Sequence, residues 1–136
     1  MVYAVHADQS NKTLGSAALF DSLGISGDVR QYSLSSCAGV TTINARHASG
    51  LTVQSVDGSK AIEIQDLIEC KVPNDRSEIP TPDIARSYPH LECLANNIPH
   101  LADAADVGLL IGRDVIEAHH VEHQILGPRQ LPFAQK

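Results

Sequence analysis

The sequence lacks any apolar run long enough for a membrane-spanning helix. Its longest apolar stretches fall far short of the ~20 residues that a span requires, and its start does not have the pattern of a signal peptide. Basic residues are also few: ten Lys and Arg stand against sixteen Asp and Glu, for a net charge of −6. Because phosphate contacts need clustered cations, we expect no nucleic-acid partner. The short apolar runs likewise predict no membrane partner.

Cysteine is scarce, and its spacing follows no known pattern. Cys37, Cys70 and Cys93 are odd in number and show no C-x-x-C spacing, which indicates reduced thiols in an intracellular, cytoplasmic setting. An exposed, reactive thiol at Cys37, which lies in a polar turn, is the alternative. A glycine-rich phosphate loop is missing, and Ser10 with His6 lacks an elbow or oxyanion motif. We expect no bound cofactor.

What the chain does contain is typical of one globular domain. At 136 residues, with 43% hydrophobic and 19% charged residues, it is long enough for one core and too short for two. We therefore predict a single domain over residues 1–136.

Alternating and β-branched stretches recur along the first half at spacings of about ten residues. They predict strands over residues 2–6, 28–34, 40–46, 51–56, 60–64 and 67–72. Asp57-Gly58 is a strong hairpin signal between two of them, and the small residues 35–39 predict a second hairpin. The apolar recurrence over residues 16–23, before Gly24, predicts a short helix. This pattern favours a mainly β sandwich or small closed barrel.

A strand-to-helix junction lies near the end of the chain. The aliphatic run 109–111 does not alternate, as expected for a strand buried on both faces. Gly112 permits a sharp turn, and Asp114 is placed to cap a helix over residues 115–120. A buried strand is thus predicted to lead directly into a helix.

Proline concentrates between these two regions. Five of the seven prolines lie from Pro73 to Pro99, which disfavours regular strand pairing there. Thr81 as N-cap, with Pro82 at the first helical position, predicts a short helix through Tyr88.

The C-terminal segment leaves two alternatives open. Residues 121–126 either continue the preceding helix or form a strand before Gly127-Pro128, and residues 131–134 begin another strand. On a helix, His119 and His123 would share one face at i and i+4, as zinc ligands often do. Their order, His-His-Val-Glu-His, differs from H-E-x-x-H, and a polar helix end is the simpler interpretation.

Stretches at opposite ends of the chain resemble the two signatures of retropepsin-like aspartic peptidases. One is the strand 2–6 with the polar turn after it, and the other is the aliphatic Gly-Arg-Asp junction at 109–114. Further matches lie at residues 36–40, 75–82, 88–91 and 127–128. Over nearly its whole length the chain resembles the peptidase-like domain of Pao/BEL-type retrotransposon polyproteins.

This resemblance implies a mainly β, retropepsin-like (acid protease) fold, a small closed barrel or sandwich with a flap hairpin and one or two short helices. Residues 73–106 then form a Pro-rich insertion, either a lid or interface element or a passive addition. An aspartic peptidase needs two carboxylates about 3 Å apart that share a proton. Because one such chain supplies one turn, the resemblance implies a homodimer that takes an extended peptide or polyprotein as substrate.

The catalytic turn departs from the family pattern. Aligned without gaps, the catalytic aspartate falls on Ala7, and Asp8, Gln9 and Ser10 come next. The domain is then a natural pseudopeptidase, a peptidase whose catalytic residue was deliberately replaced, or one in which Asp8 has taken the role. The third interpretation is disfavoured because a one-residue slip in extended backbone reverses the side chain's direction, and catalysis tolerates little misplacement. We therefore expect the chain to have the retropepsin-like fold but no strong proteolytic activity.

The resemblance implies that several residues around the turn and junction support the catalytic turn. In related proteases the arginine at position 113 reaches an acid behind the turn, and that position is Asn11 here, which cannot form a bidentate salt bridge. Thr13 keeps the polar pattern, and Gly112 and Asp114 complete the junction. A solvated surface charge is the alternative for Arg113.

The resemblance assigns the hairpin at 35–39 to the flap, which folds over bound peptide and excludes water. The tip residues are Ser35, Ser36, Cys37, Ala38 and Gly39. An ordinary surface hairpin is the alternative. Three hypotheses result: an impaired dimeric aspartic peptidase, a non-enzymatic dimeric module that binds extended peptides by β-augmentation, and a metal site at His119 and His123.

Overall fold

The computed structural model describes the backbone of residues 1–136 and every side chain except that of Glu78. The chain forms two compact units. The first comprises Met1–Asn74 and Asp106–His119, and the second comprises Asp75–Ala105 and His120–Lys136. The second unit therefore includes nearly all of the Pro-rich segment predicted at 73–106, together with the C-terminal residues.

A curled six-stranded sheet makes up most of the first unit, and the mainly β prediction is confirmed. Its strands are β1 (Tyr3–His6), β2 (Leu14–Gly15), β3 (Asp28–Ser36), β4 (Gly39–Gln54), β5 (Ala61–Glu69) and β6 (Val107–Ile111). Their order in space is β1-β6-β2-β5-β4-β3. The β1–β6 and β2–β5 pairs are parallel, and the β2–β6, β3–β4 and β4–β5 pairs are antiparallel. The sheet thereby brings the first and last of these strands side by side.

Both predicted hairpins are present. β3 and β4 pair up to Ser36 and Gly39, and the turn between them is Cys37-Ala38. β4 and β5 pair up to Gln54 and Ala61, around Asp57-Gly58. In this second turn the Asp57 carboxylate accepts hydrogen bonds from the Ser55 hydroxyl at 2.6 Å and the Ser59 hydroxyl at 2.7 Å. Together with the Ser59 amide, these bonds lower the pKa of Asp57 to about 2.

The predicted strand bounds were wrong in one respect. The stretches 40–46 and 51–56 were predicted as separate strands, but β4 runs unbroken through sixteen residues. Likewise, β5 joins most of 60–64 to the first residues of 67–72 and ends at Glu69. The physical reason is that β4 pairs with β3 along its first half and with β5 along its second half. The backbone hydrogen bonds to these two strands therefore keep β4 extended even where its apolar and polar side chains do not alternate.

One helix, α1 (Ala17–Ser22), packs into the core of the first unit. Ser16 Oγ accepts a hydrogen bond from the Leu19 amide at 3.2 Å, and Gly24, with φ 66°, comes after the C-cap as predicted. The side chain of Phe20 is 0% exposed, and burial of such a side chain contributes up to about 3 kcal/mol. Around it lie Ala48, Ile64, Leu67, Leu109, Ile111, Val115 and Ala118.

Strand β6 lies inside this core, as the lack of alternation predicted. Val107, Leu109 and Ile111 are buried, and Leu110 is half-buried. A strand covered on both faces gains from apolar side chains at every position.

The second unit contains short elements. They are a 3₁₀ helix (Arg76–Glu78), α2 (Pro82–Arg86), a 3₁₀ helix (Glu92–Asn97), and the paired strands β7 (Gln124–Ile125) and β8 (Ala134–Gln135). Thr81 caps α2 as predicted, with its hydroxyl 3.3 Å from the Ile84 amide, but the helix ends before Tyr88. The small core contains Ala85, Leu91 and Ala95, with Tyr88, Leu94, Ile98, Ile125 and Ala134 packed against it.

The C-terminal predictions are partly corrected. The helix predicted over residues 115–120 is a 3₁₀ helix (Ile116–His119), and Asp114 does not cap it because its carboxylate is bonded to Thr13. Of the two alternatives for 121–126, the strand is confirmed as β7. A strand near 131–134 is also present, but as β8 it begins only at Ala134. Among the described residues, no helix is long and apolar enough to cross a membrane.

Candidate functional site

The turn at Ala7–Ser10 results directly from the parallel pairing of β1 with β6. The Ala7 amide donates to the Ile111 carbonyl at 2.9 Å, continuing the ladder one residue beyond β1. The Ser10 amide then donates to the Ala7 carbonyl at 2.9 Å, which closes a turn with Asp8 and Gln9 at its centre. Both central residues are exposed, whereas Ala7 is half-buried.

The junction after β6 is fastened to the same turn. The Arg113 amide donates to the Ser10 carbonyl at 2.9 Å. Gly112 lies so close to the Lys12 carbonyl group that a Cβ at this position would overlap it. Only glycine permits this approach of the two backbones, which gives the predicted Gly112 a concrete role.

A buried threonine and an aspartate lock the two segments together. Thr13 is 0% exposed, and its hydroxyl donates to Asp114 Oδ1 at 2.8 Å while accepting from the Gly112 amide at 3.1 Å. The Thr13 amide donates to Asp114 Oδ2 at 3.1 Å. The amide and hydroxyl of Thr13 are therefore both satisfied, and the Asp114 carboxylate is fixed by two donors.

The connection expected from Arg113 to the Asn11 position is not present in this chain. Both side chains are exposed, and neither makes a hydrogen bond to any residue that the structure describes. The turn and strand are instead joined by the Arg113 backbone amide and by Asp114. The amide of Asn11 offers no charge to hold a guanidinium, which accounts for the difference.

A cleft of about 560 Å³ lies over the turn. Its floor and near wall come from the turn and from the junction, and its far wall comes from the β3–β4 hairpin. The lining residues are Gln9, Ser10, Asn11, Lys12, Leu14, Tyr32, Ser33, Leu34, Ser35, Ile43, Ile68, Cys70 and Arg113. The predicted turn and hairpin thus line the same cavity.

A second cavity of about 630 Å³ adjoins the cleft and shares Leu34, Ile43 and Cys70 with it. Its other walls are formed by α1, by β4 and by the end of β5 with residues 70–72, and they include Ala17, Ala18 and Val72. The two cavities therefore share part of their walls at the base of the hairpin.

The hairpin tip predicted as a flap extends beyond the cleft. Of its five residues, Ser35 lines the cavity, and Ser36, Cys37, Ala38 and Gly39 are exposed. The Ser36 hydroxyl accepts from the Ala38 amide at 3.2 Å, which is a local turn contact. Of the five residues predicted as a flap tip, only Ser35 therefore lines the cavity.

The root of the hairpin is held by Arg46, which no sequence pattern singled out. Its guanidinium donates to Glu69 Oε2 and to Asp21 Oδ1, each at 2.6 Å, and lies 5.2 Å from the Phe20 ring centroid. The hydrogen bond from Arg46 lowers the pKa of Glu69. The two carboxylates lie 23 and 25 residues away in sequence, so no local pattern marks them.

The histidine arrangement behind the alternative of a metal site is not helical. The 3₁₀ helix ends at His119, so His123 does not share a helix face with it, and the described residues contain no group of three or more metal-ligating side chains. His119 instead lies with Nε2 2.9 Å from the Gly112 carbonyl and with its ring 5.4 Å from that of His6. Burial, and secondarily the neighbouring His119, lower the pKa of His6.

Chemically, one chain offers a polar turn with a single exposed carboxylate, Asp8, whose neighbours Gln9 and Ser10 line the cleft. Ala7, the turn residue on the β1–β6 ladder, carries no ionisable group. Comparisons with models of protein families, with curated proteins and with solved structures give no match.

Proposed function

We propose that the chain is a retropepsin-like aspartic peptidase domain of a retroelement polyprotein, and that its homodimer holds extended peptide with little or no cleavage. Ala7 stands where the catalytic aspartate belongs. The retropepsin-like fold, the dimer and the peptide substrate are all parts of this proposal.

One observation carries it: the turn after β1 and the Gly-Arg-Asp junction after β6 interlock beneath a cleft. The Ala7–Ile111 and Arg113–Ser10 backbone bonds join them, and Thr13 with Asp114 locks them. An aspartic peptidase needs a turn held this firmly, because misplacement of a reacting group by about 1 Å can reduce the rate about 100-fold.

The expected loss of activity results from the chemistry of the paired carboxylates. One carboxylate removes a proton from water while the other protonates the peptide carbonyl. Two alanines facing one another across a twofold axis can do neither. Asp8, at an exposed central position of the turn, comes one residue later and does not share the position of Ala7 on the β1–β6 ladder.

Substitution of Ala7→Asp tests the proposal directly. A peptide library is incubated between pH 4 and 7 with wild type, Ala7→Asp and the matched Ala7→Asn variant, which has the same shape but no exchangeable carboxyl proton. We expect Ala7→Asp to cleave about 100-fold faster than Ala7→Asn, as measured by mass spectrometry. Its rate should fall towards neutral pH as the shared proton is lost.

Two results would overturn the assignment of the turn. Equal activity in Ala7→Asp and Ala7→Asn would remove any role for a carboxylate at this position. Cleavage by the wild type that disappears in Asp8→Ala would show that Asp8 is the catalytic residue.

The second candidate is a non-enzymatic dimeric peptide-binding module, and the alanine at position 7 favours it. β3 ends the sheet, so its outer edge offers unpaired backbone groups to an extended segment. Peptide binding by the wild type, with no cleavage even by Ala7→Asp, would favour this candidate over a disabled peptidase.

A further inference from the structure

The cleft over the turn has a charge opposite to that of the protein. The chain has a net charge of −6, yet two cations, Lys12 and Arg113, line this cleft, and no carboxylate of the described residues does. The remaining polar lining is neutral, from amides and hydroxyls such as Gln9 and Ser33. The lining therefore carries two positive charges, of which that of Lys12 is partly offset by Asp66 outside the lining.

Arg113 is the stronger of the two cations as a ligand. Its side chain is exposed, and within the described residues its guanidinium has neither a hydrogen bond nor an ion pair. Its backbone is held firmly, because its amide is bonded to the Ser10 carbonyl. A guanidinium on a fixed backbone, with all its donors available, suits bidentate binding of a carboxylate.

Lys12 is only weakly engaged. Its Nζ lies 3.5 Å from Asp66 Oδ2, and both side chains are nearly half exposed. The other oxygen of Asp66 contacts His47 Nε2 at 3.0 Å. A long, solvated ion pair of this kind leaves the ammonium free to turn towards an anion in the cleft.

The adjoining cavity has a different character. Its walls are mainly apolar and include Ala17, Ala18, Ile43 and Val72, together with the polar side chains of Asn44 and Lys71. Its one carboxylate, Glu69, already accepts from Arg46 with both oxygens. Alternate side chains of an extended peptide point to the same face and lie roughly 7 Å apart, so one peptide can present side chains to both cavities.

We propose that the cleft binds an extended peptide whose acidic side chain is held by Arg113 and Lys12, with an apolar side chain two residues away in the adjoining cavity. This inference rests on the proposed function and names its substrate class. The guanidinium and ammonium select the carboxylate, and the alanine and aliphatic walls select the apolar neighbour.

The test uses three acetylated and amidated peptides that differ at one position: Thr-Val-Ser-Glu-Ser-Thr, the same peptide with Gln for Glu, and the same with Lys. Dissociation constants come from NMR titration of the full chain. We expect the Glu peptide to bind about two- to fivefold tighter than the Gln peptide at low salt, and the difference to shrink as salt is added.

Variants then locate the effect. Arg113→Gln should reduce the preference for Glu, and Arg113→Glu should shift it to the Lys peptide. The matched control is Arg129→Gln, which makes the same change in net charge at an exposed residue outside the cleft lining and should retain the preference. Dispersed amide spectra would verify that each variant is folded.

The results distinguish a failure of the acidic preference from a failure of the proposed peptide binding. Equal binding of the Glu and Gln peptides by the wild type overturns the acidic preference and leaves peptide binding standing. A preference that survives in the Lys12→Gln, Arg113→Gln double variant also overturns the inference. Binding of none of the peptides contradicts both proposals.

Discussion

Two regions line the same cleft but are stabilised in different ways. One is the interlock, in which the turn at residues 7–10 and the junction after β6 are joined through Thr13 and Asp114. The other is the β3–β4 hairpin. Thr13 bonds to Gly112 and Asp114 across 99 to 101 residues of sequence, and it is fully buried. In the hairpin, every side chain from 33 to 42 is exposed, and the two strands pair with each other. Few buried contacts imply low local stability. One side of the cleft is therefore fixed, and the side formed by the hairpin is held more weakly.

The largest effect should come from filling the space at Gly112. In Gly112→Ala the new Cβ overlaps the Lys12 carbonyl, so we expect a loss of about 3 kcal/mol in the free energy of unfolding, or no folding at all. Urea unfolding followed by circular dichroism measures it. The control is Gly50→Ala, where φ is 67° and no atom lies near, and about 1 kcal/mol is expected. Equal losses would mean that the interlock is loosely packed.

Removal of the Asp114 carboxylate should have the next largest effect. Asp114→Ala leaves the Thr13 amide and hydroxyl buried without their acceptor, which should destabilise by about 2–3 kcal/mol. The comparison is Ser36→Ala at the hairpin tip, expected within about 0.5 kcal/mol of wild type. Urea denaturation of Asp114→Ala, of Thr13→Val and of the variant with both changes measures the coupling between the two residues. Fully additive losses in the double variant would contradict a direct lock between the two residues.

A smaller effect is expected at the root of the hairpin. Arg46→Lys keeps the charge but loses the planar contacts of the guanidinium to Glu69 and Asp21. We therefore expect its thermal unfolding midpoint to fall. The control is Arg30→Lys, which alters an exposed ion pair and should lower the midpoint less. Because the folded pKa of Glu69 is lowered, the bond's contribution is complete above the ordinary pKa of about 4.3 and is lost as pH falls through the lowered value. The thermal unfolding midpoints of the two variants should therefore become equal at acidic pH. A difference that persists at pH 2 would contradict this ionic account.

Local signals in the sequence predicted much of the fold. Asp57-Gly58 predicted one hairpin. The apolar recurrence over 16–23, with Gly24 after it, predicted the first helix, and the unbroken aliphatic run at 109–111 predicted the buried strand. Each signal depends on residues close together in sequence, where turn and capping chemistry is decided.

The features that the sequence did not predict depend on residues that are far apart along the chain. Asp114 was predicted to cap a helix because nothing local shows that Thr13 donates to its carboxylate. Arg46 has no local mark of its contacts with Asp21 and Glu69. The 3₁₀ helix that ends at His119 likewise removed the spacing on which the metal hypothesis depended. Tertiary contacts decide such features, and they override local preference.

The measurement that bears most directly on the central claim is the rate of peptide cleavage by Ala7→Asp as its concentration is varied, with mass determined in parallel by sedimentation. If two turns meet across a twofold axis, activity per chain should rise with concentration together with the shift from 14.6 kDa to twice that mass. Cleavage at constant specific activity by a 14.6 kDa species, or an Ala7→Asp dimer that never cleaves, would contradict the account.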